Sequence, residues 1–66
     1  KNIEAISAME KALKINPRHQ IANLNLGIVN MSSGNLEKSK IYWKAAIEID
    51  PTNEIGQKAK ELLTTH

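Results

Sequence analysis

The phrase Ala12-Leu13-Lys14-Ile15-Asn16-Pro17 returns 34 residues later as Ala46-Ile47-Glu48-Ile49-Asp50-Pro51. Each copy runs small, large aliphatic, charged, aliphatic, amide or acid, proline. Beyond the prolines the same offset sets Ile21 over Ile55. Repeat proteins bury their cores between units rather than within one, so a period of about 34 residues predicts stacked units.

Working outward from that phrase, the spacing of apolar residues is helical, and no run of strict alternation is long enough for a strand. A first helix is expected from about Asn2 to Ile15, with Ala5, Ile6, Met9, Ala12 and Leu13 on one face. Pro17 stops it, because its ring is incompatible with a helix interior and biases Asn16 out of the helical region. A second helix, about His19 to Ser32, has apolar residues on more than one face, as a helix with neighbours on both sides requires. Ser32-Ser33-Gly34-Asn35 reads as a tight turn, Gly34 taking a left-handed conformation and Asn35 capping the next helix. So short a loop makes the flanking helices antiparallel. The third helix, about Leu36 to Ile49, ends at Asp50-Pro51 by the same device as the first. A fourth, about Asn53 to Thr64, has one apolar stripe of Ile55, Ala59, Leu62 and Leu63 and is otherwise polar, which suits a capping position.

Composition bounds the function. The chain has 66 residues, 41% of them hydrophobic and 24% charged. At this size a fold buries only about 60% of its unfolded surface, leaving a thin core, little room for a water-excluding catalytic pocket, and a net stability of a few kcal/mol. With no cysteine, neither a disulfide framework nor a cysteine zinc site is present, and His19 and His66 share no metal-ligand spacing. Eight of the nine basic residues are lysine and the formal charge is +2, a weak case for nucleic acid. There is no apolar run of membrane-spanning length, so no membrane insertion is expected. No serine has a histidine at helical spacing, so no catalytic residue, cofactor site or metal site is assigned and the chain is read as a non-enzyme. Because it opens on Lys1, it is read as a piece of a longer protein. The compartment is left open.

The period, the two helices per period and the placement of small residues and prolines resemble the tetratricopeptide repeat family, whose pattern runs W-x2-L-G-x2-Y, A-x3-F, a further alanine and P. The complete repeat is 20–53, with Leu26-Gly27 in the leucine-glycine place, Gly34 at the turn, Trp43 in the large aromatic place, and Ala46 and Pro51 after it. Asn23, Asn30 and Ser39 depart from the pattern and are expected to weaken packing. Residues 1–19, carrying Ala5, Met9, Ala12 and Pro17, are the second helix of a partial repeat, and 54–66 are a C-terminal capping helix. The resemblance thus implies an all-α fold, a right-handed solenoid fragment of about four helices stacked as antiparallel hairpins. The motif residues read as structural: Gly27 and Ala46 let backbones approach, and Trp43 fills the space.

The resemblance also implies a protein-interaction module with a concave groove for a peptide or partner helix. Its groove residues here would be Ile21, Leu24, Asn25, Ile28 and Ser32. Asn25 matches an asparagine of the subgroup that clamps chaperone C-termini, but Ile55 and Ala59 occupy the basic places, so no such clamp is expected. The alternative function is self-assembly as a homo-oligomer. The first helix has no hairpin partner, which leaves Ile3, Ile6, Met9 and Leu13 with uncovered surface that tends to find a mate. Among the charges, Glu10 with Lys14 and Glu54 with Lys58 stand in favourable i, i+4 order, and Lys38, Lys40 and Lys44 read as a basic cluster on a solvated face.

Overall fold

The computed structural model describes residues 2–66, and they form four α-helices: α1 (Asn2–Ile15), α2 (Gln20–Ser32), α3 (Leu36–Ile49) and α4 (Glu54–Thr65). The all-α expectation holds, with bounds within a residue of those read from the sequence. His19 and Asn53, expected as first helical residues, are instead the N-caps of α2 and α4. His19 Nδ1 accepts from Ala22 N at 3.3 Å, and Asn53 Oδ1 accepts from Gly56 N at 2.8 Å. These are matching positions 34 apart, and in both the cap side chain meets the third amide of the helix.

The helix-ending phrase closes alike in both copies. Arg18 N donates to Asn16 Oδ1 at 3.1 Å, and Thr52 N donates to Asp50 Oδ1 at 3.0 Å. The side chain before each proline thus takes an amide that the broken helix leaves without a partner. Between α2 and α3 the turn is a Schellman motif. Asn35 N donates to Asn30 O at 2.8 Å and Gly34 N to Met31 O at 3.0 Å, with Gly34 at φ +87°. Asn35 departs from its expected role. It is the N-cap of α3, but its side chain makes no capping bond, because the bond that finishes α2 holds its backbone at φ −110° and ψ 66°, short of the extended form of the other two caps.

Among the described residues, α2 packs against α1, α3 and α4, and α3 against α2 and α4, whereas α1 packs against α2 alone. The core lies where α2, α3 and α4 meet. Trp43, Ala46 and Ala59 are closed to solvent, with Leu24, Met31, Ile47, Leu62 and Leu63 packed against them. Two glycines set the helix separations. A Cβ on Gly27 would stand 2.9 Å from Trp43 Cε2 and nearer still to two other indole atoms. One on Gly56 would run into the Asp50 carbonyl oxygen. The sequence marks Gly27 as such a contact, whereas nothing local marks Gly56.

The polar departures from the family pattern are accommodated by local hydrogen bonds. Asn23 donates to His19 O at 3.1 Å and Asn30 to Leu26 O at 2.8 Å, while Ser39 Oγ donates to Asn35 O at 3.1 Å. All three residues are buried, and each satisfies its side chain on nearby backbone. Among the described residues the buried side-chain atom left without a partner is Trp43 Nε1, which faces the bare backbone at Gly27.

Candidate functional site

At about 100° per residue, the buried residues of α2, namely Ala22, Asn23, Leu26, Gly27 and Asn30, fall on one side of the helix. Ile21, Leu24, Asn25, Ile28 and Ser32 fall on the other, within an arc of roughly 100°. The five groove residues read from the sequence therefore share one side of α2, away from its buried residues. They are not equally open. Ile21 is 50% exposed and Ser32 is exposed, whereas Asn25 and Ile28 are half-buried. Leu24 is half-buried too and packs against the Trp43 core, so it holds α2 in place as well as bordering the face.

This face carries no charged residue, and the described residues form no enclosed pocket. The Asn25 amide has no hydrogen-bond partner among the described residues, which leaves both a donor and an acceptor available. Ala59, 34 residues beyond Asn25, is fully buried in the core, and Ile55 is half-buried. The two places where a clamp for a terminal carboxylate would put cations thus hold apolar residues.

What fixes α2 is a contact that sequence reading missed. Gln20 Nε2 donates to Ala46 O at 2.9 Å and to Asp50 O at 2.8 Å, and Gln20 Oε1 accepts from Asn53 Nδ2 at 2.6 Å. One amide at the start of α2 therefore ties together the end of α3 and the cap of α4. No local signal marks it, since its partners lie about thirty residues away. Asp50 adds a second tie: backbone and side-chain hydrogen bonds from Thr52, with a further one from Asn53 N, hold its carboxyl below the ordinary aspartate range.

The charges pair differently from the helical spacing. Lys58 meets Glu61 at 3.1 Å, and Glu10 on α1 reaches across to Lys38 on α3 at 4.0 Å. With Lys38 turned toward Glu10 and Lys40 half-buried, the three lysines of α3 do not gather into one basic patch. On α1, Ile3 is 80% exposed, while Ile6, Met9 and Leu13 are half-buried. No described helix is long and apolar enough to cross a membrane.

A family profile described as tetratricopeptide repeat matches residues 1–19 and 21–53, most of the chain, with a break one residue after the His19 cap. The chain belongs to the tetratricopeptide repeat family. No significant match to a curated protein or to a solved structure accompanies it. Tetratricopeptide repeats generally mediate protein–protein interaction and are typically non-catalytic. The four helices amount to about one and a half tetratricopeptide repeats and a further helix.

Proposed function

We propose that the chain is a non-catalytic interaction module that binds a peptide or partner helix on the outward face of α2, through Ile21, Leu24, Asn25, Ile28 and Ser32. One observation carries this reading. On a helix packed by three others, these residues form an uncharged and largely apolar side turned away from Ala22, Asn23, Leu26, Gly27 and Asn30, with Leu24 at its border with the core. Burying half-exposed isoleucines gives affinity, at about 25 cal/mol per Å² of apolar surface, and the Asn25 amide gives direction through hydrogen bonds to a partner's main chain. The lack of basic residues on this face speaks for an apolar partner surface rather than an acidic tail.

The test is affinity capture with the chain and with an Ile21→Glu, Ile28→Glu double variant that keeps its helical circular dichroism. Leu24 is left alone because it supports the core. Loss of the recovered partner in the variant is the expected result, and unchanged recovery overturns the reading. Self-association through Ile3, Ile6, Met9 and Leu13 is a second reading, favoured by the exposure of Ile3. Light scattering across a concentration series tests it, and a monomer at high micromolar concentration counts against it.

A further inference from the structure

His19 and Asn53 stand 34 residues apart and cap α2 and α4 in the same way, yet only one of the two side chains can take up a proton. Asn53 Oδ1 accepts from Gly56 N at 2.8 Å, and an amide does so at any ordinary pH. His19 Nδ1 accepts from Ala22 N at 3.3 Å, and a ring nitrogen accepts only through a lone pair, which the imidazolium lacks. The bond therefore requires the neutral ring with its proton on Nε2.

A second proton on the ring acts against the fold in two ways at once. The Ala22 amide loses its acceptor, and because Ala22 is only 5% exposed, water does not readily take the place of the ring. A positive charge also arrives at the N-terminus of α2, where the helix dipole already points its positive end. No acidic residue stands in the first turn of α2 to offset it, whereas the first turn of α4 has Glu54.

The surrounding elements do not neutralise this charge. Lys14 in the last turn of α1 and Arg18 in the turn beside His19 are positive themselves. Glu48 and Asp50 lie at the end of α3, where the Asp50 carboxyl accepts from Thr52 and Asn53. Among the described residues no carboxylate forms an ion pair with His19. The backbone of this corner is held independently, since His19 O accepts from Asn23 N and from Asn23 Nδ2, both at 3.1 Å. What a proton releases is thus the ring and the Ala22 amide, in the turn that also carries Ile21.

We propose that His19 is a pH-sensitive cap: on mild acidification its ring lets go of Ala22 N and the first turn of α2 loosens, while the matching start of α4 stays closed. Neutral imidazole is the stabilising form, so the contribution is present at neutral pH and is lost as pH falls and the ring takes up its second proton. Its bearing on binding, through Ile21, rests on the reading of the α2 face given above. The loosening itself does not.

The test is amide NMR and urea unfolding of the whole chain from about pH 7.5 to about pH 5, a range in which a histidine changes charge and an ordinary carboxylate stays ionised. The Ala22 amide is expected to move in step with the His19 ring protons while the Gly56 amide stays in place, and the unfolding constant is expected to rise about fivefold. His19→Asn, which copies the α4 cap into α2, is expected to keep the stability seen at neutral pH and to lose that response. His19→Ala is expected to be about fivefold less stable at neutral pH, again without the response. His66 is present in all three chains, so its own contribution cancels. An Ala22 amide that ignores pH, a His19→Asn chain as sensitive to pH as the unaltered one, or a His19→Ala chain as stable as the unaltered one at neutral pH overturns the proposal. No partner enters these measurements, so they fail or succeed apart from the binding role of the α2 face.

Discussion

α1 and α3 end on the same phrase and the same proline turn, yet Ala46 is sealed from water and Ala12 is not. The helices have equal length, 14 residues, and Met9 stands where Trp43 stands. What separates them is company. α3 is packed by two helices, one on each side of its hairpin, and α1 by α2 alone. A residue's pattern thus declares which side wants burial, and its neighbours decide how much burial it receives. The carbonyls teach the same lesson. Asp50 O accepts from Gln20 across the repeat, whereas among the described residues Asn16 O accepts locally, from His19 N at 3.0 Å.

The comparison can be broken most forcefully at its centre. Trp43→Ala is expected to cost about 3–5 kcal/mol, the whole stability of so small a chain, while Met9→Ala costs about 1 kcal/mol because its site is already half-open. Urea unfolding followed by circular dichroism reads both, and equal costs would mean that α1 is covered after all. Next comes the amide tie. Gln20→Ala leaves the Asn53 amide and two carbonyls without their partner and is expected to cost about 1–2 kcal/mol; Glu54→Ala, at the matching start of α4, should stay within about 0.5 kcal/mol.

A gentler probe uses the paired isoleucines. Ile49→Lys is expected to lower stability by about 1 kcal/mol, whereas Ile15→Lys leaves it nearly unchanged, since its side chain is already in water. The smallest effect is in the turns, where Asp50 stands in the place of Asn16. Hydrogen bonds from Thr52 and Asn53 depress the folded-state pKa of Asp50, so its contribution is present above the ordinary aspartate pKa and is lost as pH falls through the lowered one. Asp50→Asn copies the first turn into the second and should flatten the acid limb of the stability curve. An unaltered acid limb in the variant would place the proton uptake elsewhere.

Much of this was legible because helix boundaries are local. Pro17, Gly34 and Pro51 punctuate the chain by backbone sterics, and the amide or acid before each proline ties its own turn. Gly27 and Trp43 could be paired because the family pattern couples them. Gln20 could not be read, since its role depends on carbonyls a repeat away, nor could Gly56, whose constraint comes from the Asp50 backbone. That Ile21, Leu24, Asn25, Ile28 and Ser32 share one side of α2 follows from helical spacing alone. That Leu24 also supports the core was decided by α3 and α4.

By itself, then, the sequence determined the period, the four helices, their turns and the side of each that seeks burial, because all of these come from local sterics and spacing. Only the tertiary structure decided which of those sides are satisfied. Burial belongs to pairs of helices, so Trp43 and Met9, alike in register, end in different surroundings.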